Sequence, residues 1–289
     1  MMKPECIWEA GAALGEGPLW SQREEALYWV DILNSSLHRH SSRDGQRSWQ
    51  IPRGVSAIAE CESGGLVITQ RHGFARFDPA NGLVTPLLQV EKDLPGNRFN
   101  DGKCDARGRF WAGTMDFGCK EETGSLYCLA PDLTCRRIDS GYAVTNGPAW
   151  SADWKTMYHN DSVNGSMFAF DFDLDSGEAS NKRLFVQFDK EDGSPDGMAT
   201  DADGGLWVAH WGAARLTRRD AAGRVTMTVE LPCSQITSCA FGGPGLRTMY
   251  ITTAADGLTA EQRQREPLAG GLFAVEIDVA GMPAQMFKG

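Results

Sequence analysis

The amino-acid sequence predicts an all-β chain, a six-bladed β-propeller with four antiparallel strands per blade. Two observations carry that prediction. A short apolar-aromatic segment recurs six times at steps of 39 to 49 residues, and strand-like segments of matching character flank each copy. Periods in the forties made of short strands and Gly/Asp turns mark propeller blades.

The recurring segment reads Leu27-Tyr28-Trp29-Val30, Leu66-Val67-Ile68-Thr69, Phe110-Trp111-Ala112-Gly113, Met157-Tyr158-His159-Asn160, Leu206-Trp207-Val208-Ala209 and Met249-Tyr250-Ile251-Thr252. Most copies follow a turn, clearest in Asp105-Ala106-Arg107-Gly108 and Asp201-Ala202-Asp203-Gly204. A second element follows each copy, beginning at Ser36, Gly73, Ser125, Ser166, Gly212 and Gly271. A third precedes each copy, as in Gly17-Pro18-Leu19-Trp20 and Gly147-Pro148-Ala149-Trp150, and is rich in small residues. Small residues suit innermost strands, which crowd around the axis. Outer strands are expected near Arg183–Phe188 and Arg224–Glu230. The first strand, near Cys6–Ala10, is expected to complete the last blade, because closure removes exposed edges. Nothing in the pattern reads as a linker, so residues 1–289 are expected to form one domain.

Composition narrows the function classes. The net charge is −10 and apolar residues are 42% of the chain, enough for a sizeable core. That negative field repels a phosphate backbone or an anionic membrane, so neither nucleic acid nor membrane is an expected partner. No run approaches the ~18 apolar residues of a membrane helix. The N-terminal Met1-Met2-Lys3-Pro4-Glu5 does not read as a signal peptide. None of the eight cysteines forms a C-x-x-C pair. They read as buried thiols or bystanders in a reducing, cytoplasmic compartment.

Polar residues converge at one place. Counting back from the recurring aromatic position, Glu16 and Asn146 lie 12 residues before Tyr28 and Tyr158, and Asn100 and Asp196 lie 11 before Trp111 and Trp207. Equivalent positions in successive blades sit at one end of the central channel, so these four side chains are expected around one mouth. Two carboxylates held close need a positive charge between them, and oxygen-only donors suit a hard divalent cation. The loops after the second strands surround the same mouth. The long ones, Met115–Thr123 and Thr253–Ala269, are candidates for substrate selection. The same strand directions place His159, His210 and Trp211 at the rim.

Gly15-Glu16-Gly17-Pro18-Leu19-Trp20, Arg98-Phe99-Asn100-Asp101-Gly102-Lys103, Gly113-Thr114-Met115, Thr145-Asn146-Gly147-Pro148 and Pro195-Asp196-Gly197 together resemble the regucalcin/gluconolactonase family of sugar lactonases. The resemblance covers nearly the whole chain and leans towards bacterial aldonolactonase-like members. It implies one divalent metal held by Glu16, Asn146 and Asp196, with calcium, magnesium, manganese, zinc and ferrous iron all candidates. It implies substrate binding by Arg98 and Asn100, and Asp196 as general base. A substrate-contacting acid found in some members aligns here with Gly118, near Asp116, Glu121 and Glu122, so substrate choice does not carry over.

The reaction these residues suit is hydrolysis of a sugar lactone to its aldonic acid, as in sugar oxidation. No G-x-S-x-G motif offers a serine nucleophile instead. The alternatives are a metal-binding regulatory or scaffold propeller, and an esterase or organophosphate hydrolase on the same fold.

Overall fold

The computed structural model describes residues 3–289. They form six four-stranded antiparallel sheets, and in five of them the strands pair in chain order. The sixth closes the ring: Ile236–Gly242, Thr248–Thr253 and Leu272–Glu276 are joined by the N-terminal strand Glu5–Trp8. Glu5 pairs with Ala274 and Cys6 with Phe273, which places the first strand where the edge argument expects it. The one α-helix among the described residues is Ala260–Arg265, entered through a capping box between Thr259 and Gln262.

Burial falls from axis to rim. The second strands Ala26–Asp31 and Leu66–Gln70 are buried along their whole length. They carry continuous apolar runs because each blade is covered on both faces by its neighbours. The outer strands Gly45–Gln50 and Glu178–Gln187 are mostly exposed and rich in polar residues. Trp29, Trp111 and Trp207, the aromatic anchors of three repeats, are fully buried. The core is therefore divided into clusters between blades, such as Tyr158, Met167, Met198 and Val208.

Each inner strand starts at the same end of the channel, and in five blades it carries a one-residue bulge. Glu16 pairs with Val30 and Leu19 with Tyr28, so three steps on the inner strand oppose two on its partner. The same offset separates Phe99 from Gly102, Asn146 from Ala149 and Pro195 from Met198. In blade 6 it falls between Ile236 and Ser238. Blade 2 has a three-residue inner strand, Ile58–Glu60, whose ladder is regular. A bulge kinks the strand and re-aims side chains. All four polar residues lie three before the inner-strand partner of the aromatic position, which is Leu19, Lys103, Ala149 or Ala199. The hairpin from that partner is one residue longer in blades 1 and 4, which makes the count 12 there and 11 in blades 3 and 5. Glu16 and Asn146 are the last paired residues before the bulge, whereas Asn100 and Asp196 lie within it.

Two segments differ from expectation. The third strand of blade 5 starts at Arg215, because Gly212 and Ala214 take φ of 89° and 54° and make a turn. Residues 277–289 join no blade. They cross the channel end opposite the inner-strand starts, with Gly281 bridged to Asp201 of blade 5 and Phe287 bridged to Cys61 of blade 2. The Lys288 N–H donates to the Gly108 carbonyl of blade 3, 3.1 Å away.

Candidate active site

At the end where the inner strands begin lies a cavity of about 380 Å³. Glu16, Asn100, Asn146 and Asp196 all line it, together with Arg98, Ser162 and Trp211. The four polar residues are only 4%, 5%, 2% and 6% exposed. Leu33, Phe117 and Val163 form an exposed apolar rim above them.

Hydrogen bonds fix most of these side chains. Asn100 Nδ2 donates to the Thr145 carbonyl at 2.8 Å and to Asn146 Oδ1 at 3.2 Å. Asn146 Nδ2 donates to Ser162 Oγ at 2.8 Å, and that hydroxyl donates to the Pro195 carbonyl at 2.6 Å. Asn160 Nδ2 donates to the Asp196 carbonyl at 2.7 Å. These bonds tie blades 3, 4 and 5 together at the cavity floor. Arg98 Nη1 donates to Asn100 Oδ1 at 2.7 Å and to the Phe99 carbonyl at 2.9 Å. Burial lowers its pKa to about 10, partly offset by Cys119, Glu16 and Asp196.

The carboxylates are the unbalanced part. Glu16 accepts the Gly17 N–H at 2.8 Å and lies near the equally buried Asp196 carboxyl, whose pKa its charge raises. Burial, then the charge of Asp101, pushes the Glu16 pKa up to about 8; the Gly17 N–H and Lys103 pull the other way. Burial, then Glu16 and Asp101, raises Asp196 well above the usual carboxylate range. Among the described residues, neither carboxylate has a Lys, Arg or His within ion-pairing distance. Lys103 Nζ is turned to the Met198 carbonyl at 2.5 Å, deeper in the channel. Buried like charges without a counter-charge are costly. A divalent cation between Glu16, Asp196 and the Asn146 amide oxygen would remove that cost. Two charged and one neutral oxygen donor, with room for water, match a hard cation. The residues present therefore fit the metal that the motifs imply.

Other expected residues land elsewhere. His159 and His210 are fully buried and do not line the cavity. His159 packs edge-on to Tyr142, 4.7 Å between ring centroids, and neither ring nitrogen has a partner. His210 lies 2.7 Å from the Asp192 carbonyl and 2.8 Å from Thr217 Oγ1. Both sit on second strands, whose side chains are covered by the adjacent blade, so neither is a rim residue. Trp211, one residue further, does reach the cavity. The loop around Gly118 presents no acid there. Asp116 turns back to accept the Lys120 and Glu121 N–H groups at 3.1 and 3.3 Å, while Phe117 and Cys119 line the cavity. Asp256, from the connection bearing the helix, joins them.

Asp101 is the residue that sequence reasoning missed. It is buried, accepts the Gly102 and Gly147 N–H groups at 2.7 and 2.8 Å, and raises both cavity carboxyls. Its place in Asn100-Asp101-Gly102 was the available signal, but Asp-Gly reads first as a turn.

Comparison with known proteins agrees with this layout. The model of the SMP-30/Gluconolactonase/LRE-like region matches residues 14–255. Chicken regucalcin is 39% identical over 100% of this chain and 99% of its own. A Bacillus subtilis protein named as a sugar lactone lactonase is 35% identical over 96% of each chain, so identity does not separate bacterial from animal relatives. Among solved structures, a calcium-binding regucalcin from Agrobacterium tumefaciens superposes with a TM-score of 0.95 at 28% identity, covering 99% of this chain and 98% of its own. A luciferin-regenerating enzyme superposes with 0.93 at 30% identity over the whole of both chains. By sequence, fold and the residues gathered at its channel mouth, this chain belongs to the SMP-30/gluconolactonase/regucalcin family, whose members include sugar lactonases.

Proposed function

We propose that the protein hydrolyses a sugar lactone with one divalent metal held by Glu16, Asn146 and Asp196. The observation that supports this reading most is the pair of buried carboxyls with no basic side chain in ion-pairing distance among the described residues, lining a cavity of small-molecule size beside Asn146. The bound metal would supply Lewis-acid polarisation of the lactone carbonyl.

The chain's own groups divide the remaining work. Arg98 donates to the oxygens of the ring or of the carboxylate product, with the guanidinium face that Asn100 does not occupy. Asn100 is locked by its own amide bonds and holds Arg98 in place. Asp196 Oδ is the proton acceptor for the attacking water, because its carboxyl is perturbed and faces the cavity. Glu16, the neighbouring carboxylate, would hold the metal beside it. The apolar rim of Leu33, Phe117 and Val163 limits access of bulk water.

The test is turnover of a panel of aldonolactones by purified protein, with chelator and metal add-back, after subtraction of spontaneous opening. Metal-dependent rates above that background are expected. No excess over background on any lactone with any metal defeats the reading and moves a metal-binding regulatory role ahead, a role in keeping with the calcium-binding relative.

A further inference from the structure

Beside the cavity lies a second groove, of about 370 Å³, on the same face of the propeller. Arg98 and Phe117 belong to both, so the two spaces are neighbours across one shared wall. The groove is further lined by Arg53, Arg71, Gln70 and Ser35. Arg53 and Arg71 are brought together by the bond from the Arg71 N–H to the Arg53 carbonyl, 3.3 Å. The Arg71 and Arg98 guanidinium carbons lie 5.6 and 5.8 Å from the centroid of the Phe117 ring. One aromatic side chain therefore holds two cations at the boundary.

The charge is unusual for this chain. Acidic residues outnumber basic ones by 38 to 28, and many arginines elsewhere take carboxylates, as Arg109 does with Asp105 and Arg218 with Asp201. Among the described residues, Arg53, Arg71 and Arg98 have no carboxylate within 4.0 Å. Arg71 Nη2 meets only the Pro95 carbonyl, at 2.9 Å, so most donors of the group remain free. Arg53 and Arg71, with no carboxylate among the described residues in ion-pairing distance, line the groove beside Arg98, so an anion there gains from all three cations. Arginine's fork matches carboxylate and phosphate oxygens in pairs.

We propose that this groove is an anion subsite, and that the substrate is a lactone bearing a carboxylate or phosphate on the carbon chain beyond its ring. The proposal rests on the lactonase reading for the ring and on Arg53, Arg71 and Arg98 for the anion. Arg98 faces both ends of such a molecule, while Arg53 and Arg71 face only the charged arm.

The experiment is calorimetric titration of the calcium-loaded protein with gluconate, glucarate and 6-phosphogluconate, for wild type and for R53Q/R71Q. Wild type is expected to bind glucarate or 6-phosphogluconate at least tenfold more tightly than gluconate. The double variant should lose that gap while gluconate affinity stays within about twofold. Whichever of the two acids shows the larger gap identifies the charged group. Equal affinities in wild type, or a gap that survives in R53Q/R71Q, overturn the subsite. Circular dichroism separates loss of fold, and an R53K/R71K variant that restores the gap shows that charge is responsible. Binding of these open-chain acids needs no turnover, so this test fails independently of the lactone panel.

Discussion

The two ends of the central channel are built from the same six inner strands and differ in almost everything else. Where the strands begin, Glu16, Asn100, Asn146 and Asp196 crowd a polar cavity floor. Where they end, Trp20, Trp150, Met198, Cys239 and Phe241 line an apolar space, covered by Met282, Pro283, Ala284 and Gln285. In blades 1, 3, 4 and 5 the cavity-lining polar residue lies just before the bulge or within it, and residues beyond the bulge line the apolar space. One end thus holds charges that cost stability, and the other supplies apolar burial and a strap that offset them.

The largest expected effect breaks the polar end. Asp196→Ala should remove metal binding and lower lactone turnover by on the order of a thousandfold or more, since it deletes both a charged ligand and the proposed base. Metal content by emission spectroscopy, beside the turnover assay, checks it; a variant that keeps both disproves the assignment.

Next comes the strapped end. Phe287 is fully buried in the core beneath blades 2 and 3, alongside Phe74, Phe99 and Phe110. Phe287→Ala should cost about 3–5 kcal/mol of stability in urea melts while metal affinity is unchanged. If metal binding falls with stability, the two ends are coupled and the division described above is wrong.

A smaller effect belongs to Arg98→Ala, which removes one charge-assisted contact worth about 1.5–3 kcal/mol. A ten- to hundredfold drop in kcat/KM with metal retained is expected. Loss of metal would instead make Arg98 part of the metal site's support.

The mildest test concerns acid. Burial, then the charge of Lys182, holds the His159 pKa down at about 3 against an ordinary 6.5. Its neutral form is the one the fold accepts, so its contribution is complete above pH 6.5 and is lost as pH falls towards 3. His159→Gln should flatten the stability–pH slope in that window by at most ~1.4 kcal/mol per pH unit. An unchanged slope would place the acid sensitivity in His38 or His210, each held down at about 4 chiefly by burial.

How much of this could be read in advance follows from the range of each interaction. The six repeats were legible because strand periodicity and Gly/Asp turns are local, and the strap 277–289 was not, because its partners Asp201, Cys61 and Gly108 are distant in the chain. His159 and His210 were misjudged because their sequence positions match those of rim residues, and only the adjacent blade decides that they are covered. Asp101 was passed over because its turn-like motif gave no sign that Gly147, from the next blade, would supply an N–H.

By itself the sequence determined the blade count, the closing strand and the four polar residues that share a cavity, since each depends on spacing along the chain. Only the tertiary structure decided that two of those four are paired to the second strand and two lie within a bulge, because a bulge exists only between paired strands. It alone set Arg53 and Arg71 beside Arg98, from different blades, since the distance between charges is a property of the closed ring.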